Sequence, residues 1–181
     1  QKLSAAEKLQ ALARPKQLNS PKLFADVQDI ISRVQKQGDK ALMAYNKQFD
    51  GVFLTQLAVS EAEFVEAEAL VSEEIKAALK QAKKHIARWH KAGMSKSFTI
   101  KTTPGVQCGR IIRPIQRVGL YIPAGTAALP STVLMLGIPA QLAECADVLI
   151  CTPPQKNGKV NPVILYAAKL CGIQKVYKTG G

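Results

Sequence analysis

The segment from Arg117 to Tyr177 alternates short apolar runs, rich in β-branched residues, with longer runs of helical spacing. The pattern predicts strands and helices in alternation, at Arg117–Ile122, Ser131–Glu144, Asp147–Thr152, Pro162–Leu170 and Gln174–Tyr177. A helical crossover between successive strands makes those strands parallel. We therefore expect an α/β protein whose β-α-β-α-β segment is half of a doubly wound, Rossmann-like sheet, in an incomplete form.

The residues before this segment are predicted to be mainly helical. One run with helical spacing ends at Gly38. Ser60 and Glu63 have the spacing of a capping box, and Ser72 can cap a further helix that runs to about Gly93.

Two shorter patterns in the first 116 residues indicate extended structure. The run "LTQLAVS" alternates briefly between apolar and polar residues, as a strand does. After Ser97, β-branched residues flank Pro104 and Gly105, which together indicate a turn between strands.

Composition limits the classes of function. Of the 181 residues, 47% are hydrophobic, which is typical of a globular protein, and no apolar run is long enough to indicate a membrane span. The net charge is +12, but the basic residues are not interleaved with aromatic ones and no zinc-finger spacing occurs, so we do not expect nucleic acid as a partner. The N-terminal residues do not resemble a secretory signal, and the expected location is the cytoplasm.

The cysteines and histidines do not form a recognisable metal site. Four cysteines lie among apolar neighbours, none in a CxxC pair: Cys108, Cys145, Cys151 and Cys171. We interpret them as buried, reduced thiols. His85 and His90 are five residues apart on a predicted helix, whereas two histidines that share a metal ion are usually four apart. The residues themselves therefore predict no zinc site in this chain.

The run "VGLYIPAGTAALPSTVLMLGIPAQ", residues 118–141, has the strand–loop–helix form with which α/β proteins bind anions. Tyr121 lies at the carboxyl end of the strand, and Gly125, Thr126, Ser131 and Thr132 surround the predicted helix N-terminus. The GxGxxG motif is absent, and the second strand ends in "ICTPP", without an acidic residue to bind a ribose. A dinucleotide held here would not be bound by the usual glycine-rich loop.

The run "RPIQRVGLYIPAGTAALPSTVLMLGIPAQLAECADVLICTPP", followed by "ILYAAKLCGIQKVYKTGG", resembles histidinol dehydrogenase. The runs "GDKALMAYNKQFDG" and "TTPGVQCGRIIRPI" are also similar to that family, so the resemblance extends from about Pro15 to Gly181. Gly-Leu-Tyr-Ile-Pro and Ser-Thr-Val-Leu-Met are its most specific motifs. Ala124 differs from the glycine that usually follows the proline in this family, and alanine adopts a positive φ less readily than glycine.

The resemblance implies two successive NAD-dependent oxidations, from L-histidinol through the aldehyde to L-histidine, by a zinc-dependent homodimer. It also implies that Tyr121 contacts the NAD cofactor, and we add Gly125 and Ser131 as cofactor-binding candidates. The family's zinc ligands and its catalytic histidine and glutamate lie beyond this chain. We therefore expect no catalytic or metal-binding residue here, and no activity from the chain by itself.

The expected organisation has three regions: an N-terminal helical arm at 1–20, a helical and strand segment of a first α/β domain at 21–116, and the truncated start of the NAD-binding domain at 117–181. An unpaired sheet edge after the last strand indicates the N-terminal portion of a longer protein. Two alternatives stay open. One is a related zinc- and NAD-dependent dehydrogenase of another small alcohol, and the other is a non-catalytic α/β nucleotide-binding module.

Overall fold

The computed structural model describes residues 3–13, 21–124 and 127–180. The chain divides into two compact units, Gln1–Gly38 and Asp39–Gly181. Within the described residues, no helix is both long enough and apolar enough to cross a membrane.

The first unit contains helices α1, at Ala5–Leu12, and α2, at Pro21–Gln37. A capping box begins α1, because the Ser4 hydroxyl accepts a hydrogen bond from the Glu7 N–H and the Glu7 carboxylate accepts one from the Ser4 N–H. Gly38 ends α2 with a φ of 57°, as the sequence predicts. Neither helix has a buried residue.

The second unit begins with helical elements and continues with strands. Its described elements are α3 (Asp39–Tyr45), a π-helical turn (Asn46–Asp50), α4 (Glu61–Leu70), α5 (Glu73–Ala92), β1 (Phe98–Thr103), β2 (Val106–Arg110), β3 (Arg117–Tyr121), α6 (Pro130–Leu142), β4 (Asp147–Thr152), α7 (Pro162–Leu170) and β5 (Lys175–Lys178). The predicted α/β class and the alternation from β3 to β5 are confirmed. Helix α6 begins one residue earlier and ends two residues earlier than predicted, and β5 lies one residue further along the chain.

Strands β3, β4 and β5 form a parallel sheet in chain order. Leu120, Ile150 and Val176 are neighbours in this register, and all three side chains are buried. Because successive residues of a strand face opposite sides of the sheet, Tyr121 and Cys151 lie on the other face. One face of the sheet therefore supplies the core, and the other carries the tyrosine that the sequence singled out.

The main core lies between the buried face of the sheet and helices α6 and α7. Leu134 and Ile138 of α6 pack in one cluster with Ile164 and Leu165 of α7. Helices α4 and α5 pack on α7 and α6 as an outer layer. Pro139 lies within α6, but the helix continues to Leu142, so the proline does not end it.

The run "LTQLAVS" does not form the predicted strand. Its link to the sheet is an isolated antiparallel bridge between Ala58 and Tyr177. Val52, Leu54 and Leu57 pack instead with Tyr177 in a second, smaller core. This irregular segment buries its apolar side chains Leu54, Leu57 and Val59 without pairing along a strand, so its apolar–polar pattern does not reflect one.

Strands β1 and β2 form an antiparallel hairpin around Gly105, which has a φ of 79°, so the predicted turn is confirmed. All residues of both strands are exposed. Cys108 lies in β2, and its interpretation as a buried thiol is therefore wrong for this chain. Cys171 is buried, and burial raises the pKa of its thiol to about 11.

Gly137 permits close packing of α6 against the segment that precedes β5. A methyl group at Gly137 would lie 2.9 Å from the Cys171 Sγ and 3.2 Å from the Ile173 Cδ1. We expect Gly137→Ala to lower the free energy of unfolding by about 1–3 kcal/mol through overpacking. The control is Gly93→Ala, whose new methyl group would have no neighbour nearer than 3.9 Å. Urea unfolding of both variants measures the difference, and equal losses would contradict this account of the packing.

Candidate functional site

The carboxyl ends of β3, β4 and β5 lie at the same edge of the parallel sheet, where α/β proteins bind their ligands. A groove of about 630 Å³ lies at this edge. Its walls are formed by the end of the π-helical turn, by Ala124 after β3 and by residues 153–157 after β4. The volume is within the range of small-molecule sites in proteins.

Two of the sequence-predicted residues, Tyr121 and Ser131, lie at this edge but outside the groove walls. Tyr121 is the last residue of β3, and its exposed fraction is 46%. Ser131 is the second residue of α6 and is exposed, but it does not cap the helix, because the cap position is Leu129 and has no side-chain hydrogen bond. Gly125 and Thr126 lie outside the described residues.

Ala124, where the resemblance implies a glycine, has no backbone strain. Among the described residues other than glycine, the one with a positive φ is Glu144, so Ala124 has an ordinary backbone conformation. Its side chain is half-buried, packs against the main core and also contributes to the groove.

Phe49 and Asp50 reach the groove from the π-helical turn, and the sequence analysis missed both. The sequence of that segment has no local signal for a ligand site. The turn is held by Asn46, a buried side chain whose Nδ2 donates to the Lys178 carbonyl at 2.8 Å. Gly51 then ends the turn with a φ of 69°. A long-range contact with the end of β5 therefore brings this distant segment to the edge of the sheet.

One carboxylate and one ammonium group contribute to the walls of the groove. The Lys156 Nζ donates to the main-chain carbonyl of Asp50 at 2.7 Å. Burial raises the pKa of the Asp50 carboxyl, and the positive charge of Lys156 opposes that rise. A methyl group at Gly180 would lie 3.3 and 3.5 Å from the two Asp50 carboxylate oxygens, so the chain after β5 passes close to this side chain.

A largely buried ion pair connects the end of β5 to the start of α4. The Lys178 Nζ lies 2.7 Å from the Glu63 Oε1, and the side chains are 10% and 17% exposed. Glu63 also completes the predicted capping box with Ser60, which is confirmed. Burial acts against the charged carboxylate, but the hydrogen bonds from Lys178 and Ser60 outweigh it, so the pKa of Glu63 is lowered.

Glu63→Ala should lower the free energy of unfolding by about 3–5 kcal/mol, because it leaves Lys178 buried without its partner. The matched control is Glu66→Ala, which removes an exposed pair with Lys159 and should change stability by about 1 kcal/mol or less. Chemical unfolding of the two variants measures both effects. Losses of similar size in the two variants would contradict the claim that the buried pair of Glu63 with Lys178 stabilises the fold more than the exposed pair of Glu66 with Lys159.

The stabilisation from Glu63 should also depend on pH. Because its pKa is lower in the folded chain than the ordinary 4.5, the contribution is fully present above about 4.5 and is lost as pH falls through the lowered folded value. The difference in unfolding free energy between the wild-type chain and Glu63→Ala should therefore be largest near neutral pH and shrink in acid. A difference that grows as pH falls below the ordinary value would contradict the sign of this shift.

The described residues contain no group of three or more His, Cys, Asp or Glu side chains that could hold a metal ion. His85 is exposed, and its Nε2 lies 2.7 Å from the Gln81 Nε2. His90 is half-buried near the end of α5. The residues present here therefore do not fit a zinc site, and we assign no chemical step to a metal held by them.

A parallel sheet with crossover helices on one face and a groove at its carboxyl edge places the chain among the α/β proteins with Rossmann-like sheets. The family model for histidinol dehydrogenase matches residues 13–181. A histidinol dehydrogenase from Xanthomonas campestris pv. campestris (strain 8004) is 49% identical over 179 residues, which cover 99% of this chain and 42% of that protein. One from Colwellia psychrerythraea (strain 34H / ATCC BAA-681) is 46% identical over 181 residues, or 100% of this chain and 42% of its own length.

A solved structure is similar as well. The crystal structure of histidinol dehydrogenase from Elizabethkingia anophelis matches with a TM-score of 0.90 and 44% identity, over 99% of this chain and 41% of that chain. The chain therefore belongs to the histidinol dehydrogenase family. It spans about 42% of the length of the curated relatives that it matches, in their N-terminal portion.

Proposed function

We propose that this chain supplies part of the NAD-binding site of a histidinol dehydrogenase, an oxidoreductase that converts L-histidinol to L-histidine in two NAD-dependent oxidations. The observation that carries the proposal is the groove at the carboxyl edge of the sheet, in a chain that belongs to this family. When bound, NAD accepts the hydride in each oxidation. The residues of this chain bind and orient it.

The groove fits a nucleotide in size and chemistry. Phe49, Pro153 and Pro154 offer apolar surfaces for a flat base, and Asp50 and Lys156 offer polar groups of opposite charge. Helix α6 begins at the same edge with Pro130 at its first position and no side-chain cap, so its positive dipole end is not neutralised by a capping carboxylate. These features support residues 117–181 as the start of an NAD-binding domain.

Tyr121, Gly125 and Ser131 are the residues that we propose for cofactor contact beyond the groove walls. Tyr121 presents a partly exposed phenol at the end of β3, where an aromatic ring can pack against the nucleotide. Ser131 lies in the first turn of α6, where its hydroxyl can donate to a phosphate. Gly125, in the loop between these elements, is proposed from the sequence alone.

The remaining parts of the proposal come from family membership. They are L-histidinol as the substrate, zinc with ligands outside this chain, a homodimer as the functional assembly and the cytoplasm as the location. Nucleic acid and membrane are not proposed as partners.

Tyr121→Ala should weaken NAD binding by about 1–2 kcal/mol, the range for one aromatic contact with one hydrogen bond. Phe98→Ala is the control, because it removes an aromatic ring of similar exposure, 49%, from β1, and Phe98 is not among the residues of the groove walls. Isothermal titration with NAD measures the dissociation constants, and circular dichroism confirms that each variant is folded. Unchanged NAD binding by Tyr121→Ala with a large loss of stability would instead make the tyrosine a packing residue.

The chain by itself should not oxidise L-histidinol. The described residues offer no metal cluster that could stabilise the alkoxide formed when the alcohol loses its proton. The measurement is NADH absorbance with a high concentration of the chain, NAD, zinc and L-histidinol. Sustained turnover that follows the chain through gel filtration would show that the groups for catalysis are present in these residues.

A further inference from the structure

The carboxylate in the groove wall belongs to Asp50, whereas the segment that follows β4 contributes no acidic residue to the groove. In the usual dinucleotide fold, an acidic residue after the second strand accepts hydrogen bonds from the ribose. Here β4 is followed by Pro153 and Pro154, whose side chains have no hydrogen-bonding atoms. Asp50 lies in the same groove wall, although it comes from the π-helical turn that precedes the sheet in the chain.

The Asp50 carboxylate is available to a ligand. Within the described part of the chain its oxygens accept no hydrogen bond, and Lys156 donates to the main-chain carbonyl of Asp50 instead. The side chain is half-buried, so its charge is only partly screened by water. A ligand that donates hydrogen bonds would therefore gain more here than at an exposed carboxylate.

The position of Asp50 is fixed from several sides. The Val52 N–H donates to the Asn46 carbonyl at 3.2 Å across the turn, and the Asn46 amide holds the turn to Lys178. The main chain at Gly180 lies close to the Asp50 carboxylate, because a methyl group added at Gly180 would be 3.3 Å from one carboxylate oxygen. Short π-helical segments of this kind occur frequently at functional sites.

We propose that Asp50 selects NAD over NADP, by accepting hydrogen bonds from the vicinal ribose hydroxyls and by repelling a 2′-phosphate. The inference rests on the proposed function, because it assigns a role within the same nucleotide site. A ribose with two free hydroxyls satisfies both carboxylate oxygens. A phosphate on the 2′-oxygen removes one donor and places negative charge against a carboxylate that a half-buried wall holds in place.

Lys156 is the competing feature in the same wall, because an ammonium group can attract the 2′-phosphate that Asp50 repels. The Lys156 Nζ donates one of its three protons to the Asp50 carbonyl, so that proton is not available to a ligand. The proposal therefore requires the carboxylate, and not the lysine, to determine the preference.

The test compares NAD and NADP binding to the 181-residue chain by isothermal titration calorimetry. NADP should bind at least about tenfold more weakly than NAD, the ratio expected for loss of a hydrogen bond to a charged group. Asp50→Asn keeps an acceptor but removes the charge, and should bring the NADP-to-NAD ratio of dissociation constants down about tenfold. Asp39→Asn, which removes an exposed carboxylate in the first turn of α3, is the matched control and should leave the ratio unchanged.

Salt gives a second measurement that needs no variant. Repulsion between the carboxylate and a 2′-phosphate is screened as ionic strength rises, so the wild-type preference for NAD should shrink between 0.05 and about 0.5 M salt, as the Debye length falls from roughly 14 to 4 Å.

A second variant tests the role of the lysine: Lys156→Met should retain the preference for NAD.

The outcomes separate this inference from the proposed function. If the wild-type chain binds NAD but Asp50→Asn keeps the wild-type ratio, or the wild-type chain binds both nucleotides equally, the inference is overturned and the NAD site stands. If the wild-type chain binds neither nucleotide, the proposed function fails and the inference fails with it.

Discussion

The ion pair between Lys178 and Glu63 is the interaction on which the candidate site depends. Lys178 is the last residue of β5, and its backbone is held on both sides: its N–H donates to the Leu57 carbonyl and its carbonyl accepts from the Asn46 amide. Its ammonium group reaches Glu63 in the capping box of α4. One residue thus joins the strand end, an irregular segment, the π-helical turn and the outer helix layer. Because an unpaired buried charge is strongly unfavourable, these segments are fixed relative to one another.

The parallel sheet is the second constraint that positions the candidate site. Its buried face joins Leu120, Ile150 and Val176 to the core residues of α6 and α7, and each such side chain contributes about 1.5–3 kcal/mol when fully buried. That packing places the starts of both helices at the carboxyl edge, where their positive dipole ends favour an anionic ligand. The opposite face leaves Tyr121 accessible. The core and the candidate site are therefore two consequences of the same alternation of strand and helix.

The sequence predicted the elements that depend on local patterns and missed the part that depends on distant contacts. The capping box at Ser60, the glycine turn at Gly105 and the strand–helix alternation are each encoded within a few residues, and the structure has all of them. The role of Asp50 in the groove depends on Asn46 reaching Lys178, a contact that no local spacing reports. The run "LTQLAVS" differs from its predicted strand for a related reason, since a pattern of apolar and polar residues can come from loop packing as well as from a strand.

The most direct test of the account is to locate the nucleotide on the folded chain. Amide chemical shifts of the ¹⁵N-labelled chain during titration with NAD would identify the residues that respond. We predict the largest changes at the carboxyl edge, at Asp50, Ala124, Lys156 and Asn157, with Tyr121 shifting as well. A second groove, of about 410 Å³, is lined by Phe64 and by the residues that precede β5, including Ile173 and Gln174. Shifts confined to that groove, with none at the carboxyl edge, would contradict the account.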